Sequence, residues 1–367
     1  MKFVKIFFLL LFCSVINAQQ FRAVDSIIYS SIRNHVFPGA ALLIGNADGI
    51  IYKKAFGHYT YDINSPLVTN ESLFDLASCT KVFATTSCIM KLVDEGKVKL
   101  DEPVKNYLPE FGANGKENVT VKNLLLHNSG MRSYYSPKKG QSPSDIWKAI
   151  SGLPLAYKTD SDMVYSCLNF VTLMKVAETV TGMPMYKYFQ KTIAGPLGLS
   201  RTMFNPPAEM KSACVPTTDS LQGVVHDPLA RGLLGYSGNA GLFSTTGDLA
   251  AICQLYLNGG RAGSKRIFSE SAVETFPKRY SSLSSRALGW DTKSDTGYSS
   301  AGRLFSKNSF GHTGYTGTCA WFDPERRIFV ILLTNRVYPD DTANISPVRA
   351  RINEAVIMEL EKLTSLK

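Results

Sequence analysis

Residues 78–96 read Ser-Cys-Thr-Lys-Val-Phe-Ala-Thr-Thr-Ser-Cys-Ile-Met-Lys-Leu-Val-Asp-Glu-Gly. The run has no Pro, no Gly before Gly96, and is apolar nearly all round through Val82, Phe83, Cys88, Ile89, Met90, Leu92 and Val93. That pattern predicts a buried helix from Ser78 to Glu95, ended by Gly96. Ser and Lys three apart on a helix lie on one face, so the Lys81 amine can reach the Ser78 hydroxyl and take its proton. The helix start adds free backbone N–H groups that favour negative charge on a nucleophile and on the oxyanion formed by its attack. To act as a base near neutral pH, Lys81 must have its pKa pushed well down, which an apolar helix can do by desolvation. Spacing alone is weak, because Ser136 and Lys139 repeat it. Pro137 and the Tyr134–Gly140 loop composition deny that second pair a helical frame.

Outward from this helix, Ala23–Arg33 is helix-like, and Ala40–Gly57 predicts two strands around the hairpin signal Asn46-Ala47-Asp48-Gly49. The middle, about 97–285, predicts several helices, among them Asp145–Ile150, Ser166–Val180 and Thr246–Leu257, separated by loops rich in Pro, Ser and Gly. Strands return at Phe310–Thr316, Thr318–Phe322 and Ile328–Thr334, followed by an amphipathic helix over Pro347–Leu363. Sheet at both ends thus brackets a helical insert. The expected fold is α+β: an antiparallel sheet flanked by helices (19–77 and 286–367) with a mainly helical subdomain at about 78–285.

The 367 residues, 44% hydrophobic and 19% charged, suffice for one large catalytic unit and exclude disordered or fibrous classes. Met1–Lys5 followed by the apolar Ile6–Phe12 run and Ala18 has the layout of a signal peptide over 1–18, too short to span a bilayer. A periplasmic or secreted protein is expected; bulky Phe12 disfavours a lipoprotein anchor on Cys13. Loss of Lys2 and Lys5 lowers the formal charge from +10 to +8. The basic residues are scattered without an aromatic-interleaved stripe, which argues against a nucleic-acid partner. Six cysteines remain, at 79, 88, 167, 214, 253 and 319, with neither CxxC nor Cys/His ligand spacing, so no metal site is signalled. Most are expected to be buried thiols, and Cys79 points off the Ser78/Lys81 face.

Three segments in order resemble the family of penicillin-binding proteins, class C-like beta-lactamases and related esterases, whose pattern is S-x-x-K, then Y-x-N, then K-T-G or H-T-G. They are Ser78-Cys79-Thr80-Lys81, Tyr165-Ser166-Cys167 and His312-Thr313-Gly314. Shorter stretches extend the resemblance over nearly the whole mature chain: Leu125–Gly130, Gly241–Thr245, Leu288-Gly289-Trp290 and Gly311–Gly317. It implies that Ser78 is acylated, that Lys81 and Tyr165 share the proton, and that the backbone N–H groups of Ser78 and Tyr315 form the oxyanion hole. Cys167, His312, Thr313 and Gly314 would line the substrate site, with Tyr165 just ahead of a helix capped by Ser166. Either Lys81 or Tyr165 could be the base.

Two departures bear on substrate. Cys167 stands where the family commonly has Asn or Asp, and a thiol is a poor partner for a beta-lactam side-chain amide. His312 replaces a frequent Lys, which makes anion recognition weaker or pH-dependent. Both resemble the esterase and acyltransferase branch. The expected function is an exported serine acyl hydrolase or acyltransferase that takes a small ester, amide or lactam donor and a water, alcohol or amine acceptor. It needs no cofactor and no stable membrane insertion. A D-amino-acid peptidase or weak beta-lactamase is the alternative, and a non-catalytic binding protein of the same fold a further one. His127 reads as structural or pocket-lining. A Ser/His/Asp triad through His226-Asp227 is disfavoured because it lacks a G-x-S-x-G elbow.

Overall fold

A computed structural model of the chain describes residues 21–280 and 283–365. The predicted signal peptide, with Cys13, lies outside the described residues. No described helix is long and apolar enough to cross a membrane.

Helix α1 (Arg22–Arg33) leads into strands β1 (Gly39–Asn46) and β2 (Ile50–Gly57), an antiparallel hairpin. The Asn46 side chain closes its turn by accepting from the backbone N–H groups of Asp48 and Gly49, as Asx residues do in turns. The late part of the chain supplies β3 (Asp291–Thr292), β4 (Phe310–Thr313), β5 (Cys319–Asp323) and β6 (Ile328–Thr334). Together they form one six-stranded sheet in the order β2-β1-β6-β5-β4-β3. The first hairpin and the last meander therefore meet at β1–β6, antiparallel, with Leu42 opposite Leu332.

The period-2 alternation of strands explains why β1 and β6 read as continuous apolar runs. Ala41, Leu43, Phe329, Ile331 and Leu333 face a core shared with the helical middle of the chain. Ala40, Leu42, Ile44, Val330 and Leu332 face a second core, closed by Val24 and Ile28 of α1 and by Ile352 and Val356 of the C-terminal helix (Ser346–Ser365). Both faces are covered, so neither shows polar alternation. Against the first face packs the helix Thr246–Leu257, while the helix Cys167–Thr181 packs on the stretch 81–94.

The stretch 78–96 is less regular than its composition predicts. It begins as a 3-10 turn at Ala77–Cys79, widens to a π-helical turn at Lys81–Thr86 and becomes α-helical only over Ser87–Asp94. Its polar side chains bond to the flanking backbone: Thr80 Oγ1 accepts from Leu242 N, Thr85 Oγ1 donates to Gly238 O, and Ser87 Oγ donates to Val82 O five residues back. Such wide turns recur at functional sites. Strands β4 and β5 are also shorter at the 314–318 turn than predicted, because Thr316 and Thr318 turn aside to bond the backbone of Asp75 and Leu76.

Candidate active site

Ser78 follows a tight corner. Phe74–Asp75 pairs with Leu242–Ser244 in a small three-stranded sheet, and Ala77 then adopts a left-handed φ of 45°. That conformation is strained for a residue with a Cβ. Asp75 holds the corner: one carboxylate oxygen accepts from Ala77 N at 2.8 Å, the other from His226 N at 2.7 Å. Burial pushes the Asp75 carboxyl up to about 6 despite those two bonds.

One helical turn on, Lys81 is fully buried. Its Nζ donates to Ser78 Oγ at 3.1 Å, to the Asn239 carbonyl oxygen at 2.9 Å and to Cys167 Sγ at 3.6 Å. Three donors thus meet three acceptors, as a buried ammonium requires. The pKa runs opposite to the sequence expectation. Burial pulls it down, but the Cys167 thiol, the Tyr165 phenol and Asp227 pull it up and together outweigh burial, leaving it above its ordinary value. Lys81 therefore stays an ammonium at neutral pH.

Tyr165 stands beside it, with Lys81 Nζ 5.1 Å from the ring centroid. Its hydroxyl oxygen is buried and has no partner among the described residues. The ring is held by His127, whose centroid lies 4.5 Å away. Ser166 does not cap the following helix with its side chain: its Oγ donates to Arg132 O, while its N–H donates to His127 Nδ1. The capping position is spent on fixing the His127 ring, whose pKa burial holds well below the usual histidine value.

Opposite, β4 ends in His312 and Thr313, and Gly314 follows it. Thr318 Oγ1 donates to Leu76 O at 2.9 Å and Gly314 N to Thr318 O at 2.8 Å, tying this strand end to the segment before Ser78. Among the described residues, the backbone N–H group of Tyr315 has no hydrogen-bond partner, as a donor of an oxyanion site must be free. His312 agrees with the weaker of the two anion contacts expected of it rather than the pH-dependent one. Its Nδ1 donates to Thr313 O, it is 3% exposed, and burial, with Arg286 and Lys81 nearby, holds its pKa well below the usual value. It is a neutral ring that presents Nε2 as an acceptor.

These walls enclose a cavity of about 550 Å³ lined by Ser78, Tyr165, His312, Thr313, Gly314 and Tyr315 together with Arg286, Asp291, Arg336, Arg349 and the loop Asp341–Ser346. Ser78, Tyr165, His312, Thr313 and Gly314 thus converge here, whereas Cys167, expected to line the substrate site, is not in the lining and is linked to Ser78 only through Lys81 Nζ. Ser136 and Lys139 lie in a loop without helical structure. Asp227 does not join His226 in a triad: it caps the helix Pro228–Gly232 through Ala230 N and also accepts from Asn239 Nδ2 and Tyr134 Oη. The six described cysteines are free, all buried but Cys167. Cys79 lies against the His312 backbone, with its thiol pushed up to about 12 by burial. Among the described residues no group of three or more His, Cys, Asp or Glu side chains comes together to hold a metal.

Sequence reading missed Asn239 and Arg286. The first acts through its backbone carbonyl, which no side chain announces. The second precedes Leu288-Gly289-Trp290 by two residues, and nothing in its own surroundings in the chain marks it.

Residues 19–353 match the family described as Beta-lactamase. A protein of Escherichia coli (strain K12) named "Putative D-alanyl-D-alanine carboxypeptidase" is 32% identical over 345 residues, covering 82% of this chain and 79% of its own. Among solved structures, a penicillin-binding protein homolog from Caulobacter crescentus superposes with a TM-score of 0.77 at 18% identity, covering 93% of this chain and 98% of its own. A second, "EstCE1, a hydrolase with promiscuous acyltransferase activity", gives a TM-score of 0.76 at 19% identity, over 93% and 99%. At these identities the two structures speak for the fold.

Proposed function

The chain belongs to the beta-lactamase family of serine hydrolases, and on that premise we propose that it is an exported acyl hydrolase, or acyltransferase, working through an acyl-enzyme on Ser78. The observation that carries this reading is the buried Lys81 ammonium bonded to Ser78 Oγ at 3.1 Å on the wall of a cavity that also receives the unpartnered Tyr165 hydroxyl. Because Lys81 keeps its proton, Tyr165 is the better base. Acting as a phenolate paired with the Lys81 ammonium, its oxygen takes the Ser78 proton as Oγ bonds the carbonyl carbon, and returns it to the leaving group as the bond to that group breaks. Lys81 stabilises the negative charge that develops on both oxygens. The N–H groups of Ser78 and Tyr315 receive the oxyanion, each worth about 3 kcal/mol in related chemistry. Water, an alcohol or an amine then takes the acyl group, its proton passing to Ser78 Oγ. Residues 1–18 would direct export.

A second reading, a D-amino-acid peptidase, is favoured by the name of the Escherichia coli relative. Fluorophosphonate labelling tests the common core: the adduct should map to Ser78 and vanish in Ser78→Ala. Persistent labelling in that variant would refute the assignment. Release of D-Ala from an acyl-D-Ala-D-Ala peptide, compared with p-nitrophenyl ester hydrolysis, separates the two readings.

A further inference from the structure

The carboxyl of Asp75 is a buried titratable group that the acyl-transfer chemistry leaves unused. It is 2% exposed and stands three residues before Ser78. Its contacts reach both sides of the oxyanion site. On the nucleophile side, one carboxylate oxygen accepts from Ala77 N at 2.8 Å, and Ala77 carries the left-handed φ of 45° that turns the chain into Ser78. A residue with a Cβ keeps that conformation only where its surroundings hold it. On the other side, the Asp75 carbonyl oxygen accepts from Thr316 Oγ1 at 2.7 Å, next to Tyr315 with its open N–H. The second carboxylate oxygen accepts from His226 N at 2.7 Å, and the His226 ring lies 5.8 Å from that of Tyr315.

Two N–H donors on two separate oxygens suit a carboxylate. A carboxylic acid spends one oxygen on its own proton, and that proton then needs an acceptor. Among the described residues the carboxyl meets only the two donors, so protonation loosens one of the two bonds. Burial favours the neutral form all the same and pushes the group up to about 6. The groups that face it do not titrate with it. From the segment that carries His226, Asp227 pushes Asp75 further up and Arg231 pulls it down, while the His226 ring is held below the usual histidine value by burial and by Arg231. On the strip paired with Leu73, burial pushes the Cys214 thiol up to about 12. Phe243 on the neighbouring strand carries no charge, and Thr316 offers only its hydroxyl.

We propose that Asp75 is a positioning residue whose carboxylate holds the Ala77 corner, and with it Ser78 and the Tyr315 N–H, in place for acylation, so that Ser78 reacts fast only while Asp75 is ionised. The form that the interior favours is therefore the slow one. Protonation of this group slows the site while it stabilises the fold, which separates the effect from a loss of structure. The inference rests on the reading of Ser78 as nucleophile.

Single-turnover acylation by p-nitrophenyl acetate between pH 5 and pH 8 tests it, with the acetyl adduct on Ser78 followed by intact mass. In the wild type the acylation rate constant should fall about tenfold from pH 7.5 to pH 5, the loss of ionised carboxyl one pH unit below a midpoint near 6. Asp75→Asn keeps one acceptor oxygen but sets an amide NH2 against the other N–H, so it should be slower by about tenfold or more at pH 7.5 and show no fall toward pH 5. Ala77→Gly takes the left-handed φ without strain. On its own it should lose most of the wild-type fall, and in Asp75→Asn/Ala77→Gly it should recover most of the lost rate. A merely structural role would leave the pH profile in place and could not be repaired at position 77. If Asp75→Asn does not fold, Ala77→Gly still decides. A wild-type rate that stays flat to pH 5, or a fall undiminished in either folded variant, overturns the Asp75 assignment alone. No acetyl adduct on wild-type Ser78 at pH 7.5, or turnover persisting in Ser78→Ala, overturns the reading beneath it.

Discussion

Gly314→Ala tests whether the strand end at 312–315 and the corner before Ser78 form one rigid oxyanion site. A Cβ at 314 would stand 2.1 Å from Thr318 Oγ1 and 2.5 Å from the Leu76 carbonyl oxygen, an overlap on the order of 1 Å with the backbone oxygen. Thr318 cannot swing aside without surrendering its 2.9 Å bond to that same oxygen. The strain is therefore relieved by moving residue 314 away from residue 76, and with them Tyr315 N away from Ser78 N. A misplacement of that size costs about 100-fold in rate, close to the loss of one oxyanion donor, or about 2.7 kcal/mol in the barrier. Overpacking adds about 1–3 kcal/mol of destabilisation. Stopped-flow acylation by p-nitrophenyl acetate, with thermal melts in parallel, should show the acylation rate constant down about 100-fold and a lowered Tm. Gly152→Ala is the comparison: no atom lies within 4 Å of its would-be Cβ and its φ is not in the left-handed region, so both readouts should stay near wild type. A folded Gly314→Ala protein that acylates within threefold of the wild-type rate would refute the coupling.

Asp75, neutral in preference to charged within the fold, adds stability that is complete below its unfolded pKa of 3.8 and is lost as pH rises through about 6. The difference amounts to about 3 kcal/mol, so urea melts at pH 4.5 and 7.5 should differ less in Asp75→Asn than in the wild type. Cys167→Asn replaces a thiol by an amide beside Lys81 and should raise nitrocefin acylation about tenfold; equal gain in Cys167→Ala would show that the amide is irrelevant. Asp227→Ala removes a helix cap and the partner of Asn239 and Tyr134, so chemical denaturation should report a loss of about 1–3 kcal/mol. An unchanged midpoint would mean that those groups find other partners.

The local elements were legible where one physical signal dominated. The hairpin turn at Asn46–Gly49, the strand Ile328–Thr334 and the helix Thr246–Leu257 were all readable from short-range patterning. The three motifs, read as a set, named residues that the fold gathers into one cavity. Short-range patterning could not reveal the wide turn at Lys81–Thr86, because its cause is distant backbone at Gly238 and Leu242 meeting Thr85 and Thr80.

From the sequence alone come the family, the α+β architecture and the candidate set of Ser78, Lys81, Tyr165 and His312–Gly314, since each rests on residue type, order and spacing. The charge states within the site were decided by tertiary structure. Lys81 holds its proton because Cys167, Tyr165 and Asp227 converge on it, His312 loses its own because the fold buries it near two cations, and Arg286 faces the Tyr165 ring across more than a hundred residues of chain. A pKa and an open hydrogen-bond donor are properties of surroundings, and those surroundings are assembled from segments that the linear sequence keeps far apart.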